Sequence, residues 1–171
     1  MPVEVTDAAT LEAISRLRVV VWRETGSLAP GAFPDGVWWD PIDAHARHWV
    51  FRRDGEVVAA GRLSIHPRLE EVWQAEEYLA AELDLEGPVA APDRVVVARS
   101  AQGRGLASRL VEVQDAAAVE AGARHAVRQA SPAMQRLVGE RGWRGVGPAS
   151  IDPRFPGVPF QIMTRDLRAS A

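Results

Sequence analysis

Apolar residues recur along this chain at helical spacing in some stretches and in short alternating or continuous runs in others. Leu11, Ile14, Leu17 and Val21 fall three or four apart, so residues 8–23 are expected to form an amphipathic helix, with Asp7 or Thr6 as its cap. Val3 to Val5 reads as a short strand before it. Residues 26–41 are rich in Gly, Pro and Asp and read as a long loop; a loop of that length inside a compact domain usually carries function or a partner surface. His48–Arg53 and Glu56–Ile65 read as strands joined at Asp54-Gly55, a dipeptide suited to a tight hairpin, with Pro67 closing the second. Leu69 to Leu83 reads as a helix broken by Gly87-Pro88, and Val95-Val96-Val97 within residues 94–98 as a buried strand.

In the second half, Leu106, Leu110, Val113 and Ala117 mark one helical face, with Gly122 at its end. His125–Gln129 follows as a short strand. Ser131 caps a helix opened by Pro132, which carries Met134, Leu137 and Val138 and stops at Gly142. Trp143–Ile151 and Phe160–Arg165 read as a closing pair of strands. Strands and helices alternate only in this half, which argues for a mixed α/β sheet flanked by helices.

At 171 residues the chain has the size of one domain, so 1–171 is read as a single unit. It contains no cysteine, which excludes a disulfide framework, a Cys-ligated zinc site and a Cys nucleophile. All 20 basic residues are Arg, so no lysine Schiff base can form. A net charge of -3 without basic clusters argues against a nucleic-acid partner. No apolar run approaches the ~20 residues that span a bilayer, and no leader is readable, so no membrane partner and a cytoplasmic location are expected. No metal centre is expected. Six tryptophans stand against one tyrosine, and Trp22, Trp38, Trp39 and Trp49 crowd one region; a pocket wall, a core and a homodimer contact remain open uses for them.

The segment from Val95 to Ala107 reads as strand, glycine loop and helix start. The first amides of a helix have no intrahelical partners, the helix dipole favours an anion there, and glycine lets the backbone come close to a phosphate. A plain strand-to-helix turn would use the same glycines. A P-loop needs a Gly-Lys pair that this chain lacks. A dinucleotide fingerprint is nearly matched by Gly103-Arg104-Gly105, but Ser108 stands at the third glycine, the approach from Ala98 to Gln102 is too long, and Arg124 and His125 stand where an acidic residue belongs.

Gln102-Gly103-Arg104-Gly105-Leu106-Ala107 resembles the Gln/Arg-x-x-Gly-x-Gly/Ala signature of the GNAT acetyltransferase superfamily at every specified position. The register of that family's second motif holds from Ser131 through Met134, Leu137 and Val138 to Gly142-Trp143, although Ser131 replaces its Asn and Val138 its Tyr. The resemblance spans residues 5–166. Short runs also look like ElaA-type members: residues 17–24, Arg47-His48, Gly61-Arg62-Leu63 and Gly157-Val158-Pro159. Acyl-homoserine-lactone synthases share part of the N-terminal pattern.

The resemblance implies a mostly antiparallel sheet of six to seven strands and direct transfer of an acetyl group from acetyl-CoA to the amine of a small molecule. Backbone of Val95, Val96 and Val97 would hold the pantetheine arm, and an N–H around Val96 and Val97 would stabilise the oxyanion. The loop Gln102, Gly103, Arg104, Gly105, Leu106, Ala107 and Ser108 would hold the pyrophosphate. Candidate general bases are His66 and Asp93, with His48 and Glu24 further options. Trp22, Trp38, Trp39, Asp40, Asp43 and His48 are candidate acceptor linings, since acids among tryptophans suit a cationic amine. The family's tyrosine acid is absent at Val138, and the only tyrosine is Tyr78. Two other readings stay open: an acyl-CoA-binding domain without efficient catalysis, and an acyl-homoserine-lactone-type synthase.

Overall fold

A computed structural model describes residues 1–168. Seven strands form one sheet in the order β1-β2-β3-β4-β5-β7-β6. They are β1 (Val3–Val5), β2 (Arg47–Arg53), β3 (Glu56–His66), β4 (Val89–Val97), β5 (His125–Ala130), β6 (Arg144–Ile151) and β7 (Pro159–Asp166). Every neighbouring pair is antiparallel except β4 and β5. The helices are α1 (Ala8–Glu24), α2 (Ala75–Ala80), α3 (Leu106–Glu120) and α4 (Pro132–Val138). No described helix is long and apolar enough to cross a membrane.

The period of two along β3 decides which helix each residue meets. Ala60 packs with Val50, Val96 and Ile14 under α1. Ala59 and Leu63 pack instead with Leu110, Val111 and Ala117 of α3. Local chemistry sets the helix starts. Asp7 accepts a 2.8 Å hydrogen bond from the Thr10 amide, and Ser131 accepts one from Met134. The β2–β3 turn uses Asp54 and Gly55 at φ 52° and 85°, the left-handed pair that a tight hairpin requires.

The loop from 26 to 40 contains no helix or strand, yet it is anchored. Trp38 and Phe33 stack at 4.8 Å and Trp38 meets Phe155 at 5.2 Å, so the loop is fixed to α1 and to the β6–β7 connection by one aromatic cluster.

Two elements differ from the sequence expectation. Leu69–Leu83 is not one helix: a 3₁₀ turn at Leu69–Glu71 and the short α2 are separated at Gln74, which takes φ 62°. Leu69, Val72 and Tyr78 are drawn onto the sheet beside Val89, Val127 and Ile162, and that burial overrides helical continuity. Strand β4 starts at Val89 rather than Arg94. Pro88 and Pro92 hide its first half, but Pro92 lies where β5 no longer pairs with β4.

Candidate functional site

Strands β4 and β5 are paired only at Val89–His125 and Ala90–Ala126, and beyond those residues they part. The parting opens a cleft of about 670 Å³. Val95, Val96 and Val97 form one wall, Met134 and Leu137 of α4 the other, and Gln102, Gly103, Gly105, Leu106, Ala107 and Ser108 close one end. Of the residues read as the glycine loop and its strand, Arg104 alone does not line the cleft. Gly103 and Gly105 take φ 73° and 71°, with no atom within 4 Å of where a Cβ would stand. Backbone conformation, rather than crowding, therefore demands glycine here. Gly105 leads into α3 with no side-chain cap, so the first amides of that helix lack a side-chain acceptor.

Between the pairs Ala60–Val96 and Arg62–Asp93, Gly61 alone opposes both Arg94 and Val95. This is a β-bulge, and Arg94 adopts φ 52° within it. The wholly buried Gln114 of α3 holds the bulge, donating from Nε2 to the carbonyls of Arg62 at 2.6 Å and Asp93 at 3.1 Å. A Cβ on Gly61 would stand 3.1 Å from that same nitrogen, so glycine lets α3 reach the strand.

A second cavity, of about 90 Å³, shares Trp22, Val95, Ser131 and Met134 with the cleft. Trp22 and Trp38 line it, together with Ser64, Tyr78, Asp93, Arg94, Arg128, Asp152 and Arg154. Trp39 is exposed, and Trp49 lies in the core below α3. Asp40, Asp43 and His48 are buried and do not line this cavity. They belong to a charge network: Arg18 grips Asp43 with two bonds of 2.8 Å, Arg62 reaches Asp40, Asp43 and Asp93, and Arg94 bonds Asp40 at 2.9 Å. The arginines around Asp43 hold its carboxyl well below the ordinary range against the opposing cost of burial.

The structure sets the candidate bases apart from one another. Asp93 faces the second cavity with both carboxylate oxygens held by Arg62. His66 does not line the cavity, but its Nε2 lies 2.9 Å from Oγ of Ser64, which does. Burial pulls the His66 imidazole below its ordinary value. His48 donates to the Asp43 carbonyl at 3.0 Å and is likewise depressed by burial. Glu24 is exposed at the end of α1 and lines neither cavity. Val138 is wholly buried in the core. Tyr78 lines the second cavity, with its phenol pushed up by burial. Sequence reading missed Ser64, Arg94, Arg128, Asp152 and Arg154, none of which sits in a motif.

A sheet splayed at one parallel pair, a bulged strand beside the opening and a glycine loop leading into a helix define the acyl-CoA N-acyltransferase fold. The chain belongs to the acetyltransferase (GNAT) family, whose model matches residues 12–143. No curated protein sequence matches it. Among solved structures it is similar to an acyl-CoA N-acyltransferase from Pseudomonas aeruginosa, with TM-score 0.65, 20% identity and coverage of 96% of this chain and 99% of that one. It is also similar to arylalkylamine N-acetyltransferase 2 from Aedes aegypti, with TM-score 0.64, 14% identity and coverage of 97% and 99%. The CoA-dependent acyl-homoserine lactone synthase BjaI, solved with SAM and isopentyl-CoA, matches with TM-score 0.73 and 16% identity over 99% of this chain and 84% of that one. At these identities the likeness is one of fold.

Proposed function

We propose that this protein transfers an acetyl group from acetyl-CoA to the nitrogen of a small amine. The observation that carries the reading is the meeting of the β4–β5 cleft with the aromatic, charged cavity at Trp22 and Val95. The cleft takes the pantetheine arm along Val95–Val97, and the amides from Gly103 to Ala107 take the pyrophosphate. That places the thioester near the bulge, where backbone N–H groups can bind the oxyanion.

The amine attacks the thioester carbonyl; a C–N bond forms and the C–S bond breaks. The amine must lose a proton, and Ser64 offers a route: its hydroxyl takes that proton while giving its own to Nε2 of His66. Burial keeps His66 neutral and able to accept. Asp93 serves as an anchor for Arg62. With Val138 in the core, no side chain at that position can protonate the leaving sulfur; a thiol pKa of about 8–9 lets CoA leave as thiolate and take its proton from water.

Melting temperatures with acetyl-CoA, CoA and a long-chain acyl-CoA test the cleft, since a ligand at 100 times its Kd stabilises by about 2.7 kcal/mol. Thiol release from acetyl-CoA with an amine panel tests the reaction. Stabilisation without thiol release would favour an acyl-CoA-binding domain, the reading to which the loss of tyrosine at Val138 points. Preference for a longer acyl chain with S-adenosylmethionine as acceptor would favour the lactone-synthase reading, supported by the likeness to BjaI.

A further inference from the structure

The second cavity carries one more positive than negative charge. Five guanidinium groups lie in or directly behind it: Arg18, Arg62, Arg94, Arg128 and Arg154. Four carboxylates answer them: Asp40, Asp43, Asp93 and Asp152. Each carboxylate is bonded to at least one arginine of the set, Asp152 to Arg154 at 2.6 Å. The cavity therefore holds no free acid to receive an ammonium group.

The arginine without a carboxylate is Arg128. It is 1% exposed, lines the cavity and makes no ion pair among the described residues. Among the described residues its Nη1 reaches only the Met134 sulfur, at 3.0 Å, and its guanidinium lies 4.5 Å from the Trp143 ring centre. Its Nε and Nη2 have no hydrogen-bond partner among the described residues. The neighbouring acid, Asp115, is bound to Arg165 at 2.6 Å. Nη2 of Arg94, on the bulge, is also buried and unpartnered. A buried cation left unpaired is costly, and such a cost is retained where a ligand supplies the missing anion. Burial draws Arg128 down to about 10, which leaves it charged at neutral pH.

We infer that the acceptor is an amine that carries a carboxylate, of the α-amino-acid type with an apolar side chain, and that Arg128, with Arg94, receives the carboxylate. The inference deepens the reading of this site as an acceptor pocket and rests on it. Met134 bonds Arg128 and lines both cavities, so a carboxylate held there leaves an amine one carbon away at the mouth of the cleft. Trp22, Trp38, Phe155 and Phe160 offer an apolar wall to the side chain.

Calorimetry on protein saturated with CoA tests this without requiring turnover. The probes are L-leucine, leucinamide and 3-methylbutylamine, then L-phenylalanine and phenethylamine. At least one amino acid is expected to bind tenfold or more tighter than its counterparts that lack the carboxylate, the amide or the decarboxylated amine. Arg128→Met is expected to erase that preference while keeping its affinity for CoA. Equal binding of amide and amino acid, a preference that survives Arg128→Met, or no binding of either amino acid would each overturn the inference. Failure of CoA itself to bind would instead overturn the reading of the cleft. The comparison of amino acid with amide in the parent protein decides the matter even where the variant does not fold.

Discussion

Arg62 and Asp93 face each other across the bulge and are joined by two N–H···O bonds, Nε to Oδ1 at 2.7 Å and Nη2 to Oδ2 at 2.6 Å. Through Nη1 the same guanidinium holds Asp40 at the end of the long loop and Asp43 in the 3₁₀ turn Pro41–Ala44 that follows it. Arg62 is 1% exposed, so β3, the bulge of β4 and the aromatic loop are tied by one buried cation.

Breaking this tie should appear as lost stability. Asp93→Asn leaves Arg62 its other two acids and should cost about 2–3 kcal/mol, whereas Arg62→Met strands the Asp93 carboxylate and takes one bond each from Asp40 and Asp43, which keep Arg94 and Arg18, and should cost about 3–5 kcal/mol. Urea denaturation checks both. An Asp93→Asn variant as stable as its parent but without turnover would make Asp93 a base instead of an anchor.

Gly105→Val forces a β-branched residue into the left-handed region, a strain of roughly 1–2 kcal/mol. It also adds a side chain at the end of the cleft. Acetyl-CoA affinity should fall at least tenfold by calorimetry. Gly122→Ala is the control: it sits at φ 75° after α3, away from the cleft, and should lose stability alone.

If Ser64 and His66 carry the proton, His66→Gln should lower kcat about 10²-fold and leave KM for acetyl-CoA unchanged. Because burial holds His66 below the ordinary histidine value, kcat of the parent should be flat at neutral pH and fall only in mild acid. That acid limb should vanish in His66→Gln. An identical limb in the variant would assign the titration to another group.

Stability should fall in two acid windows. His48, His66 and His125 are all depressed by burial, so the unfolded chain takes up protons first as pH drops through about 6.5. Each contributes stability that is present above that pH and is lost below it, by up to about 1.4 kcal/mol per pH unit. Asp40, Asp43 and Asp152 are held low, so their contribution is present above about pH 4 and is lost below it. Asp115, raised by burial, opposes the loss near that second window. Thermal melts from pH 8 to 3 check the profile, and His48→Gln should flatten the first step.

By itself the sequence determined features that depend on a few neighbouring residues. Asp54-Gly55 specifies a hairpin, Ser131-Pro132 a helix start, and Gly103 and Gly105 two left-handed positions that only glycine enters freely. These are preferences of φ and ψ and of short side chains for nearby amides, and they act over a single turn. The glycine loop at the end of the cleft was therefore legible in its backbone conformation. The split of Leu69–Leu83 and the early start of β4 were not, because both answer to the sheet face on which Leu69, Val72, Tyr78 and Val89 are buried together. The second cavity and the charge network behind it were least legible of all. Residues 18, 40, 43, 62, 93, 94 and 128 come from α1, the 40–43 segment, β3, β4 and β5, five separate stretches of chain, and nothing in His125–Ala130 distinguishes Arg128 from a solvated arginine on a strand. Only the tertiary structure decided that Asp93 has a charged partner and that Arg128 has none among the described residues, since the cost of a charge is set by what burial leaves beside it.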